Sequence, residues 1–123
     1  MLVESMAQIA MARESTMTAK EHALTVLSDL SKDEVCRERL ATCSILEALV
    51  VNAMPKDAHL QPEPSQNLAI HTLANLAVAT LNRKAMVTHR HLLQTLVQCA
   101  ASFTDQELKK KTKSAILLLA LEL

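Results

Sequence analysis

The chain is 123 residues long, enough for one domain, and balances thirteen basic against thirteen acidic residues. It contains no glycine, Trp or Tyr and one aromatic residue, Phe103. The missing glycines exclude P-loops, dinucleotide fingerprints and nucleophile elbows, where the backbone turns sharply or nears a ligand. The zero net charge removes the excess that draws a generic nucleic-acid or membrane binder to phosphate.

Apolar residues recur three or four apart through most of the chain, the helical period, and Leu, Ala, Met, Lys and Glu favour helix. The pattern predicts about eight helices: 2–12, 18–31, 33–42, 44–54, 65–79, 81–89, 91–102 and 105–121. The expected class is all-α. Four Ser/Thr-x-x-Glu boxes, at Thr18, Ser31, Ser44 and Thr104, predict N-caps, the hydroxyl holding an amide three residues on. Pro55, Pro62 and Pro64 mark the 55–64 stretch as a loop. Cys36, Cys43 and Cys99 are odd in number and form no CxxC pair, which suits reduced, buried thiols in an intracellular protein, cytoplasmic or nuclear. Glu4 and Glu14 oppose a targeting peptide, and the longest apolar run, Ala115–Leu121, is far too short for a bilayer.

Self-comparison uncovers a repeat. Ala23-Leu-Thr-Val-Leu-Ser-Asp-Leu-Ser31 lies over Ala69-Ile-His-Thr-Leu-Ala-Asn-Leu-Ala77 at an offset of 46 residues, and Arg37 falls on Arg83. The same step reaches Ala115 and Leu119, and Ile45–Val50 aligns with Leu92–Val97 after one inserted residue. Ala23 and Ala69 should therefore occupy equivalent buried places, and Leu27, Leu30, Leu49, Leu73, Leu76 and Leu96 should share one core. The unit resembles the armadillo repeat, with the HEAT repeat as the close alternative; Ala69–Ala77 follows the family's third-helix pattern. The bends at Thr42-Cys43-Ser44 and Thr88-His89-Arg90 depart from it, since the family usually places glycine there. The resemblance implies a right-handed α-solenoid of three-helix repeats. One domain then spans 1–123, with the last two helices of a partial repeat in 1–31, a repeat over 32–79, and a repeat over 80–123 whose outer face is uncapped.

It further implies a non-catalytic scaffold, without a cofactor, holding a peptide or helical segment of a protein partner in a groove of third helices. The groove positions carried over are Glu21, Thr25, Asp29, Asn67, His71, Asn75, Lys113 and Leu117. Glu21 and Asp29 make one end acidic and Lys113 makes the other basic. An asparagine suits the place of Asn75 because its amide both donates to and accepts from a peptide backbone.

Two other classes compete. His71, His89 or His91 with Cys99 would make a small metal protein or enzyme, but His89-x-His91 points its side chains about 200° apart on a helix. A cysteine nucleophile would need a histidine base such as His22 or His71. The Lys109–Lys113 run offers RNA contact, which the lack of an aromatic platform disfavours; a solvated turn is the plainer reading. Finally, Ala115–Leu121 is apolar all round, and Leu2, Val3, Met6, Ile9 and Met11 make the start apolar too. Such surfaces predict self-association or burial against a partner.

Overall fold

The computed structural model describes residues 8–9, 17–54, 64–102 and 105–123, with the side chains of Met17 and Thr18 left aside. The expected helix at 2–12, the 55–64 loop and the cap at Thr18 thus lie almost wholly outside the described residues. The rest is all-helical: α1 (Met17–Leu30), α2 (Glu34–Arg39), α3 (Cys43–Ala53), α4 (Pro64–Val78), α5 (Thr80–Thr88), α6 (Leu92–Ser102) and α7 (Gln106–Ala120). No strand occurs among the described residues.

The helix starts use different caps from those expected. Asp33 caps α2, its carboxylate accepting from the amides of Val35 (2.9 Å) and Cys36 (3.1 Å). Thr42 caps α3 through Ile45 N, and Asp105 caps α7 through Glu107 N and Leu108 N. A carboxylate is charged and complements the positive end of the helix, so Asp33 and Asp105 replace the Ser31 and Thr104 boxes. Ser31 is instead buried, and Ser44 lies inside α3. Pro64 opens α4, where proline has no needed amide to lose.

Helices equivalent under the 46-residue step pack on one another. Helix α4 lies between α1 and α7, and α3 packs on α6; α3 also packs on α4, and α6 on α7. Three hydrogen bonds join equivalent elements across one repeat step. Asn75 Nδ2 of α4 donates to Ser31 Oγ at the end of α1 (3.0 Å). Asn82 Nδ2 of α5 donates to Arg37 O of α2 (2.9 Å), and Cys99 Sγ of α6 to Ala53 O of α3 (3.1 Å). The arginines repeat as well. Arg37 Nε donates to Ser31 O and Arg83 Nε to Ala77 O, both at 2.8 Å, with a second donation to Lys32 O and Val78 O respectively. Each guanidinium sits over carbonyls at the C-terminal end of α1 or α4, where a positive charge is favourable.

Ala23, Leu27, Leu49, Ala69, Leu73, Leu76 and Leu96 are all buried in one continuous cluster, with Leu30 half-buried against it. The register also explains what is left uncovered. Val50 of α3 is 3% exposed, whereas its counterpart Val97 of α6 is 50% exposed. Ala74 of α4 is 5% exposed, while Ala120 of α7 is open. Helix α7 is therefore not buried all round: Ala115 and Leu119 are, Leu117 and Leu121 are not.

Candidate functional site

The eight groove positions fall on the three stacked helices, all outside the buried core. Glu21, Asn67, His71 and Asn75 are half-buried, and Thr25, Asp29, Lys113 and Leu117 are exposed. The middle helix is the more covered because it has a neighbour on each side. Several polar groups already have intramolecular partners. Thr25 Oγ1 donates back to Glu21 O (2.7 Å), and Asp29 lies 3.7 Å from Lys32 Nζ. Asn75 commits a donor to Ser31, so it joins the helices as well as facing outward. Asn67 Oδ1, by contrast, is buried and has no hydrogen-bond partner among the described residues.

The electrostatics differ from a simple acidic-to-basic gradient. Burial lowers the His71 pKa, and the charge of Lys111 lowers it further. Lys32 acts in the same sense, while Asp105 and Glu107 oppose it. Lys111 is itself held below the usual lysine range, by burial first and then by Lys32. Charges from the end of α1 and the first half of α7 thus act on His71 in the middle of α4 in both senses, Lys111 and Lys32 against Asp105 and Glu107. Sequence reasoning missed Lys32 and Lys111. The available signal was Ala115, the buried small residue of α7, which lies one turn beyond Lys111 and on the same helix face.

The Lys109–Lys113 run is no turn but part of α7, and helical geometry divides it. Lys111 is half-buried on the side of Ala115. Lys109, Lys110 and Lys113 line a shallow depression on the other flank with Gln106, Ser114 and Leu117.

The histidines and cysteines do not converge. His89 caps the end of α5 rather than sharing a helix with His91, and its Nε2 lies 3.4 Å from Glu47 Oε2, a carboxylate remote in sequence. His91 takes a left-handed backbone (φ 67°) at the bend before α6, the role a glycine would fill, and its Nδ1 lies 3.3 Å from Gln94 Oε1. His22 is exposed on α1. Among the described residues no three His, Cys, Asp or Glu side chains are placed to hold a metal. Cys99 is buried, its thiol pushed up to about 12 by burial alone, the wrong protonation state for attack. Of the three thiols expected to be buried only Cys99 is: Cys36 is half-buried on α2 and Cys43 exposed at the start of α3. No described helix is long and apolar enough to cross a membrane. In comparisons with known proteins no family model matches this chain, and no curated protein or solved structure matches it significantly.

Proposed function

We propose that this chain is a non-catalytic protein-interaction module, an armadillo-like α-solenoid that binds a peptide or helical segment of a partner along the α1–α4–α7 face. The arrangement of equivalent helices supports the solenoid: bonds joining residues 44, 45 and 46 positions apart link each kind of helix to its counterpart. Stacked repeats bury their sides and leave a continuous face whose residues are free to vary with the partner. One observation carries the binding reading. Thr25, Asp29, Lys113 and Leu117 of that face stay exposed while the helices that bear them pack together through other sides, which leaves a line of side chains uncovered across three helices.

The test is selection of randomised displayed peptides on the full chain, followed by affinity measurement with a Thr25→Ala, Asp29→Ala, Leu117→Ala triple variant. All three residues are exposed, so folding should be unaffected. Loss of binding supports the groove. Unchanged binding moves the site to another face.

A second contact is ascribed to the open end of the stack, where Val97, Ala120, Leu121 and Leu123 would be covered by one more pair of helices. This is protein contact through a protein face; neither a nucleic acid nor a membrane is invoked.

A further inference from the structure

We infer that a second copy of this chain covers the open end of the stack. Helix α1 of one copy packs on helix α7 of another, through the joint that already holds α4 on α1 and α7 on α4. The inference rests on the open-end contact above and names its occupant.

The joint has two sides, and the 46-residue step separates them by burial. One side is what a helix offers to the equivalent helix after it. Leu24, Ser28 and Ser31 of α1 and its end are buried, as are Ile70, Ala74 and Ala77 at the same positions of α4. On α7 and its end those positions are Ile116, half-buried, Ala120, exposed, and Leu123, 82% exposed. The other side is what a helix offers to the one before it. Thr72 of α4 is buried and Leu118 of α7 half-buried, yet the matching Val26 of α1 is 38% exposed. Helices α4 and α7 each follow an equivalent helix, whereas α1 follows none among the described residues. The two ends of the stack thus expose complementary halves of one joint, and α1 of a second copy occupies the step after α7.

Shape agrees with this order. Ser28, Ala74 and Ala120 are all small, so the next helix can approach closely. Val26 has almost the shape of Thr72, its counterpart inside the buried stack, and is the more apolar of the two.

Charge agrees as well. Residues 1–39 hold seven acidic and five basic residues, residues 89–123 hold five basic and three acidic, and residues 40–88 hold three of each. Head-to-tail packing brings the acidic start of one copy to the basic end of the other. Contact between two α7 helices would instead set Lys109, Lys110 and Lys113 against their like. Lys113 forms no ion pair among the described residues and lies in one file with Asn67 and Glu21. Glu21 of the second copy comes next along that file. The joint is heterologous, so every added copy presents a fresh α7 and growth does not stop at two.

The experiment follows the sedimentation of the full chain from micromolar to submillimolar concentration. The wild type should grow past a dimer as concentration rises. Val26→Lys blocks the start of the stack and Ala120→Lys blocks its end. Both sites are exposed, so both variants should keep the helical circular dichroism of the wild type. Each variant alone should be monomeric. Their equimolar mixture should stop at a dimer, formed by the intact α1 of one variant and the intact α7 of the other. Lys113→Glu should weaken assembly about two- to fivefold, the scale of an exposed ion pair, and Glu21→Lys in the same chain should restore it. A dimer that Ala120→Lys abolishes and Val26→Lys leaves intact would overturn the head-to-tail joint and keep the open end as a contact. A wild-type monomer throughout would overturn the second copy. Binding of a hydrophobic dye by that monomer, lost on Leu123→Lys, would then leave the open end to a different protein, and no dye binding would dismiss the open end too.

Discussion

Leu73 is the most direct probe of the repeat register, because it sits on the middle helix, fully buried at 0% exposure, in the cluster that joins all repeats. Leu73→Ala removes three carbons, about 2.4 kcal/mol of lost transfer energy at about 0.8 kcal/mol each. A cavity of roughly 50–80 Å³ would remain, adding about 1–2 kcal/mol because neighbours relax only in part. A total of about 3.4–4.4 kcal/mol is a large fraction of the ~6–18 kcal/mol usual for a domain of this length. The chain lacks Trp and Tyr, so urea unfolding is best followed by far-ultraviolet circular dichroism. Leu117→Ala serves as the control: Leu117 is 69% exposed, and its truncation should cost under about 0.5 kcal/mol. A loss below about 1 kcal/mol at Leu73 would mean that the helices are packed in another register.

Arg83→Ala should cost about 1–2 kcal/mol by the same assay, with Arg83→Lys only partly restoring it, because a single ammonium cannot reach both Ala77 O and Val78 O in the same geometry. No change would show that the guanidinium does not hold that helix end. His91→Gly should stabilise the chain by about 1 kcal/mol by relieving the left-handed backbone, and destabilisation would place the bend's conformation elsewhere. In native protein a maleimide should label exposed Cys43 first and buried Cys99 only on unfolding, read by mass spectrometry; early labelling of Cys99 would refute its burial. Light scattering at micromolar concentration should detect self-association, weakened by Val97→Lys with Leu123→Lys, whereas a clean monomer that binds no hydrophobic dye would dismiss the open end as an interface.

Helix positions were legible because burial imposes a period, and the period is carried by many residues at once. Every described helix lies within about three residues of its expected place. Caps were less legible, since a single residue decides them. Ser31 matched the capping pattern, but its hydroxyl donates to Ser28 O and accepts from Asn75, and Asp33 two residues later takes the helix start. The alignment of Arg37 with Arg83 was visible as a coincidence of spacing. Its meaning, a charge held over each helix end, required knowing that the chain turns back there.

The site was legible as a set of positions and illegible as an electrostatic field. The 46-residue step places Thr25, His71 and Leu117 in one file, because identical steps along stacked helices give identical faces. Charge obeys no such rule. Lys32 lies beyond the end of α1, and its counterpart by that step is Val78; Lys111 corresponds to Ser65. Neither had an aligned basic residue to draw attention to it. Their convergence on His71 depends on how far a long, flexible side chain reaches across the packing of α1, α4 and α7, a distance that periodicity does not encode. A repeat can therefore keep its frame while a few unaligned charged residues reset the field along one face. In this chain the result is a mixed field at His71, with Lys111 and Lys32 acting in one sense and Asp105 and Glu107 in the other.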